Sequence, residues 1–322
     1  VKILFLTHSA RTPSTWWRVE QFLDFWKAAG AEGVVEPHDG ADLTRAEDFD
    51  LVVLQKVLLP YFRWRTLRRH ARKLIYEFDD AVMLKHRGVR PSWTRRVRFR
   101  RTVRSADAVT TSNPYLAALA APFRAPATVR VVPNAIDLKR WKPRAPSGPP
   151  RRIGWFGSPT NLDDLRLLTG ALAPLLRARP SLEFAVVSER PPDLPDLPHR
   201  HIPYEPGRDN EQIASFDVAV APLPDTPWTR GKAPVKLLCY LASGVPVVAS
   251  DVPPHRALLA DGVTAFLAGS DEDWRRKLET LIDGPEVRER FAGAGLDLLR
   301  RFYDAESMAR QYLAFYREVA GR

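Results

Sequence analysis

The sequence predicts an α/β protein built from two Rossmann-like, doubly wound domains with a cleft between them. Three observations predict it. Short apolar, β-branched runs alternate with longer amphipathic stretches almost to the C-terminus, the rhythm of strand–helix–strand units in a parallel sheet with right-handed crossovers. The rhythm stops at KRWKPRAPSGPP, residues 139–150, where proline and glycine exclude regular structure, and then restarts. A chain of 322 residues, 45% hydrophobic and 27% charged, is long enough for about two globular domains and lies outside the disordered and collagen-like ranges. The expected division is an N-terminal domain 1–138, a linker 139–150, a second domain 151–303 and a C-terminal helix 304–322.

In the first domain, strands are expected at 1–6, 51–55, 74–78, 108–111 and 129–132, each an apolar run of strand length bounded by polar or turn residues. Helices are expected between them at 14–29, 61–70, 92–103 and 114–120. After the linker come a strand at 153–156, a helix at 161–176, a strand at 182–187 and a short strand at 201–203. A strand at 217–221, a helix at 234–243, and strands at 246–249 and 264–267 follow. Three helices, 272–282, 286–301 and 305–319, close the chain, the last capped by Asp304. Gly244 suits the residue just past the end of helix 234–243.

Composition narrows the functional class. No apolar run approaches the ~18–20 residues of a membrane span, and the opening VKILFLT is too short and too soon interrupted by His8 to read as a signal peptide. A single cysteine, Cys239, excludes an internal disulfide and a cysteine zinc site, so a reducing, cytoplasmic compartment is expected. Lys and Arg number 49 against 38 Asp and Glu, a net +11. The segment 63–104 alone holds fifteen Lys/Arg against Glu77, Asp79 and Asp80, so the rest of the chain is close to neutral. Such a patch steers anionic partners. It reads as a solvated surface, as a contact for an anionic membrane at the inner face of the plasma membrane, or as a nucleic-acid site. Within it, Trp93, Val97 and Phe99 stand among six arginines of helix 92–103 and its last turn. That pattern fits a membrane-surface helix, or one that turns Trp93, Val97 and Val103 to the core.

In open parallel sheets ligands bind beyond the carboxyl ends of the strands. In the first domain that rule selects residues 8–15, 55–60, 79–83 and Asn134; the charged candidates there are His8, Arg11 and Arg18 after the first strand, and Asp79, Asp80 and His86 after another. The carboxylates are candidates to orient a hydroxyl and the cations to hold an anion. An adjacent pair such as Asp79–Asp80 is expected to point both ways along a strand end. In the second domain the rule selects 157–161, Ser188, 222–232 and 250–254. Gly157 permits close backbone approach, and Ser158, Thr160 or Asn161 can cap the helix that follows, whose free N–H groups favour phosphate. Arg230, Lys232 and Lys236 flank the start of helix 234–243, where cations oppose the helix dipole unless an anion sits between.

At this point a family resemblance emerges. KLLCYLASGVPVVAS (236–250), VVPNAID (131–137), DVAVAPL (217–223) and DGVTAFL (261–267, with Ala265 where glycine is usual) resemble the GT-B glycosyltransferases of the family-four, group 1 type. ADAVTTSN (106–113) and YEFDD (76–80) resemble segments of its N-terminal domain more loosely. The resemblance implies a C-terminal helix crossing back to the N-terminal domain. It also implies transfer of a sugar from a nucleotide-diphosphate donor with retained anomeric configuration and no obligatory metal or other cofactor. The donor, of uridine or guanosine type, would lie on the second domain and the acceptor (a glycan, lipid-linked or small-molecule hydroxyl) on the first. Carried over, Gly157, Ser158, Thr160 and Asn161 would cradle the diphosphate. The 202–205 turn, with Tyr204 and Glu205, would lie along the nucleobase, and Ser188 and Cys239 would also line the donor site. Arg230, Lys232 and Lys236 would neutralise the leaving phosphate. The strand-end rule, independently of the resemblance, puts Asp79 or Asp80 at the acceptor or transferred sugar and Arg11 or Arg18 at the acceptor or phosphate, with His8 and His86 on the acceptor side.

Two departures from the family pattern stand out. Gly231 and Cys239 occupy the places of two glutamates usual before the Ala-Ser-Gly turn, and SPTNLDD (158–164) replaces the usual Arg…Lys pair after the first strand of the second domain. The second glutamate normally meets sugar or ribose hydroxyls, a role a thiol fills poorly. A non-catalytic nucleotide-sugar or glycan-binding subunit is therefore the alternative to a transferase.

Overall fold

The computed structural model describes residues 1–9, 12–84, 92–144 and 148–321. They form two compact units. The first comprises residues 1–137, 226–233 and 303–322, the second residues 138–225 and 234–302. Among the described residues no helix is long and apolar enough to cross a membrane.

The first unit is a six-stranded sheet of β1 (Lys2–Thr7), β2 (Glu32–Pro37), β3 (Leu51–Gln55), β4 (Leu74–Phe78), β5 (Ala108–Thr111) and β6 (Val129–Val131), all parallel, in the order β2-β1-β3-β4-β5-β6. Because side chains alternate along a strand, β1 sends Leu4 and Leu6 to one core and Ile3 and Phe5 to the other. Leu67, Phe99 and Val103, from helices Tyr61–His70 and Trp93–Ser105, close the first of these cores. The second core is aromatic. Trp26 stacks on Phe5 at 5.2 Å, Tyr312 and Tyr316 of helix Ala305–Ala320 pack around it, and Trp26 Nε1 donates to Ala309 O at 2.9 Å. Asp304 caps that helix by accepting from Ser307 N, as its position in the sequence suggests.

The second unit repeats the plan with β7 (Arg152–Phe156), β8 (Glu183–Ser188), β9 (Arg200–Pro203), β10 (Val218–Ala221), β11 (Val247–Ser250) and β12 (Phe266–Ala268), again parallel, in the order β12-β11-β10-β7-β8-β9. Counted within the unit this is the dinucleotide-binding order 3-2-1-4-5-6. Helix Val235–Ala242, buried from Leu237 onward, ends as expected at Gly244. That residue is left-handed at φ 69°, and the N–H groups of Gly244 and Val245 bond Leu241 O and Tyr240 O.

Differences from the expected elements have local causes. Strand β2 carries no continuous apolar run; it is an edge strand, partly exposed throughout. The expected helix 14–29 is broken into Pro13–Arg18, a 3-10 turn and Leu23–Ala28, with Val19 at φ −135° where Arg18 turns into the interior. The expected helix 161–176 starts as a 3-10 segment, Pro159–Leu168, and becomes α-helical only at Thr169–Ala178. Short helices Asp209–Ala214 and Pro253–Arg256 were not anticipated.

The aromatic core makes one prediction. Trp26→Ala removes a fully buried ring and its hydrogen bond to the C-terminal helix, and should cost about 3–5 kcal/mol in denaturant unfolding. A loss under about 1 kcal/mol would mean that this helix does not depend on Trp26.

Candidate functional site

Each sheet has a topological switch point, where successive strands leave to opposite sides. In the first unit it lies between β1 and β3, in the second between β7 and β10. The candidate residues gather at these carboxyl ends, and the two units are considered in turn.

Beyond β3 and β4 the first unit holds a charged cluster. Lys56 follows β3 directly, and its Nζ pairs with Asp79 Oδ1 at 3.2 Å and with Asp80 Oδ2. Both carboxylates therefore turn to one ammonium instead of pointing opposite ways. The reason is that β4 ends at Phe78, so strand alternation no longer governs Asp79 and Asp80. Lys56 is the only described non-glycine residue with positive φ, at 62°, held there while its N–H donates to Glu77 O at 2.7 Å. Burial alone would lower Lys56, yet Asp79 and Asp80 hold it above the ordinary lysine range. Burial and then Asp79 push Asp80 up, while Lys56 and Lys232 pull it down. Asp80, partly exposed and kept beside a cation, can accept a hydrogen bond from a substrate hydroxyl, whereas Asp79 is 6% exposed.

Arg18 corrects the expectation of an acceptor contact. It is 1% exposed, and its guanidinium donates to Glu77 Oε1 at 2.6 Å, Val132 O at 2.8 Å and Asn134 Oδ1 at 2.9 Å. Burial pushes Glu77 up to about 7 against the pull of Arg18. The pair ties the broken N-terminal helix to β4 and to the segment after β6, below the Lys56 cluster. His8 is exposed at the end of β1 and stacks on His38 beyond β2 at 5.7 Å. Arg11 and His86 lie outside the described residues.

The three cations of the basic loop divide between the units. Arg230 and Lys232 belong to the segment 226–233, which clusters with the first unit, and Lys236 to helix Val235–Ala242 of the second. Asn113, the cap of helix Pro114–Ala120, donates to Lys232 O, and Tyr115 OH donates to Pro227 O at 3.2 Å. Gly231 is packed so closely that a Cβ would lie 2.9 Å from Leu116 and 3.0 Å from Ala81 N. No glutamate fits there without moving the loop, which accounts for glycine at this place.

In the second unit Lys236 lies directly on the turn after β7. Its Nζ sits 4.0 Å from the centroid of the Trp155 ring, and a Cβ on Gly157 would come within 2.6 Å of that same nitrogen. Gly157 therefore leaves the ammonium room against the backbone at the switch point. Tyr240 fixes the strand end, its hydroxyl accepting from Phe156 N at 2.9 Å. Next in the chain, Ser158 and Thr160 share a hydrogen bond of 2.9 Å, and Asn161 Nδ2 donates to Ser158 Oγ at 3.2 Å. No side chain caps the 3-10 segment, so the expected cap by Ser158, Thr160 or Asn161 is replaced by this exposed polar group. Tyr204 packs edge-on against Phe156 at 5.6 Å and bonds Asp209, and burial followed by Asp209 moves its hydroxyl up to about 12.

Two donor expectations are revised. Ser188 is fully buried and its hydroxyl donates to Arg190 O at 2.5 Å, so it shapes the loop after β8 instead of facing a ligand. Cys239 is buried, and burial drives its thiol upward, the behaviour of a small apolar residue and not of a ligand-binding group. The Glu205 carboxylate pairs with Arg208 at 2.6 Å. Sequence reasoning missed Trp155 and Tyr240, and did not single out Lys56 within the selected segment 55–60. The pairing of Lys56 and its left-handed backbone leave no mark in the sequence. Trp155 and Tyr240 are buried apolar-run residues whose proximity to the turn arises from packing.

With this geometry in place, comparisons with known proteins locate the chain. Residues 150–284 match the family model described as Glycosyl transferases group 1. A phosphatidyl-myo-inositol mannosyltransferase of Mycobacterium leprae (strain TN) is 38% identical over 88 residues, 27% of this chain and 23% of that protein. The match therefore spans less than a quarter of that relative's length. Among solved structures, sucrose-phosphate synthase from Thermosynechococcus elongatus aligns with a TM-score of 0.75 at 14% identity, covering 99% of this chain and 98% of the other. Anabaena HepE in complex with UDP-glucose aligns with a TM-score of 0.72 at 14% identity, covering 98% of each chain. At these identities the likeness shows the fold, which is GT-B.

Two predictions follow from the two clusters. In Gly157→Ala the added methyl displaces Lys236, so affinity for UDP or GDP should fall about tenfold by calorimetry, the loss of one charge-assisted contact. Unchanged affinity for both would detach Lys236 from any phosphate. Lys56→Met leaves Asp79 and Asp80 without their cation, so the Asp80 carboxyl, already raised by burial, should titrate higher still in the folded state than in the unfolded chain. A carboxyl raised in this way loses stability as pH rises through its folded value. The variant should therefore be destabilised by about 1–3 kcal/mol near pH 7 and by less near pH 4. A penalty independent of pH would refute the pairing.

Proposed function

We propose, for a chain of GT-B fold whose residues 150–284 belong to the group 1 glycosyl transferases, that it moves a hexosyl group from a nucleotide-diphosphate sugar to an acceptor hydroxyl. The observation that carries this reading is Lys236 seated on Trp155 against Gly157 at the switch point of the second unit. A diphosphate resting on that turn would meet exposed hydroxyl and amide groups of residues 158–161 and one held ammonium. Breaking a sugar–diphosphate bond builds negative charge on the departing phosphate, and a preorganised cation stabilises that charge without reorganising. Lysine and arginine can supply this without a divalent ion, and the transfer is proposed to be metal-independent and retaining. HepE has been solved with UDP and with UDP-glucose, which favours a uridine donor for this chain.

The acceptor belongs to the first unit in this reading. Asp80, held with Asp79 by Lys56, would accept the hydroxyl proton's hydrogen bond and orient the attacking oxygen. Arg230 and Lys232 would contribute positive potential from the loop 226–233. The acceptor class spans glycans, lipid-linked sugars and small molecules of glycan or natural-product synthesis.

Incubation with UDP- and GDP-hexoses and a panel of hydroxyl acceptors tests the proposal. Release of the nucleoside diphosphate coupled to a glycosylated product is expected, and Lys236→Ala should lower kcat/KM by roughly 10²–10³-fold. Donor binding without hydrolysis or transfer would make the protein a nucleotide-sugar-binding subunit instead.

A further inference from the structure

Eight large hydrophobic side chains are exposed among the described residues, and four of them, Tyr61, Phe62, Trp93 and Val97, lie in the arginine-rich part of the first unit. Phe62 is 79% exposed and Trp93 78%. They are not needed inside, because Leu67, Phe99 and Val103 supply the core-facing side of the same two helices. Of Trp93, Val97 and Val103, the set the sequence offers as a core-facing side, only Val103 is buried, beside Phe99.

The fold places the four on one continuous strip. Trp93, Val97 and Arg101 recur at i, i+4 and i+8 and so share one helix face. The Arg101 guanidinium then lies over the Tyr61 ring at 5.8 Å and the Trp64 ring at 4.9 Å, and Phe62 meets Tyr61 edge-on at 5.6 Å. Helices Tyr61–His70 and Trp93–Ser105 contain ten arginines and no acidic residue. Topology fixes where the strip sits. Both helices follow parallel strands, β3 and β4, so Tyr61, Phe62 and Trp93, in their first turns, stand at the carboxyl end of the sheet. Lys56, Asp79 and Asp80 occupy that same end, and Arg95 Nε reaches back to Val82 O at 2.7 Å beside them.

We propose that this strip docks the first unit onto an anionic lipid bilayer, with Phe62 and Trp93 entering the headgroup boundary and the flanking arginines meeting lipid phosphates. Large apolar groups interleaved with arginine suit an interface that is apolar on one side and anionic on the other. Docking in this way would put the Lys56 cluster at the bilayer edge. The proposal goes beyond sugar transfer and does not rest on it, since binding is read without donor or acceptor.

The test is cosedimentation of the full chain with phosphatidylcholine vesicles containing about one quarter phosphatidylglycerol, and with phosphatidylcholine alone. Binding to the anionic vesicles is expected to exceed binding to neutral ones at least tenfold and to weaken with salt. The double variant Phe62→Ser/Trp93→Ser should lose at least tenfold of it while keeping the wild-type melting transition and affinity for UDP. Absence of binding to the anionic vesicles would overturn the proposal. So would undiminished vesicle binding by the double variant, or a single-stranded RNA oligonucleotide that binds more tightly than the vesicles and displaces the protein from them.

Discussion

A parallel strand can rejoin its sheet only through a crossover, and that constraint organises everything functional in this chain. Both sheets are wholly parallel, so every strand in a unit ends at the same edge and every following loop or helix begins there. Residues distant in sequence are gathered by this alone: Lys56 after β3 with Asp79 and Asp80 after β4, and Gly157 after β7 with Lys236 on a helix some eighty residues later. The same constraint places the first turns of helices Tyr61–His70 and Trp93–Ser105 at the edge that carries the Lys56 cluster.

Charge inside the first unit is arranged in two tiers. The lower tier is the Arg18–Glu77 pair, fully withdrawn from solvent and linked to Asn134 and Val132 O. Removing one member of such a pair strands the other, so it acts as a structural tie. In the upper tier Lys56 and Asp80 remain partly exposed above a buried Asp79, and the tier is built on a left-handed lysine, a conformation that persists only where its surroundings enforce it. Depth separates the roles: the buried arginine holds the scaffold, and the shallower lysine holds a carboxylate, Asp80, that can still meet a ligand.

The two departures from the family pattern have steric explanations. Gly231 is pressed against Leu116 and the backbone of Ala81, and Cys239 lies on the buried side of helix Val235–Ala242. A side chain at 231 would run into Leu116 and Ala81, and the thiol at 239 is a small buried group. Cationic work in the second unit falls to Lys236, whose place over Trp155 depends on the missing side chain of Gly157.

The sequence by itself determined the alternation of strands and helices, the break near residues 139–150 and the end of helix Val235–Ala242 at Gly244. These are local matters of hydrophobic periodicity, proline and glycine geometry, and capping. It also brought forward Asp79, Asp80 and Gly157, since the strand-end rule needs only the order of elements, and Lys236, as a cation set against a helix dipole. What only the tertiary structure decided was depth and partnership. Arg18 and Lys56 are both cations following a strand, yet one is sealed under Asn134 and the other pairs two neighbouring carboxylates. Trp93 and Val103 are both apolar residues of one helix, yet one faces solvent and the other the core. Burial and pairing are set by contacts between residues far apart in the chain, and no local pattern encodes them.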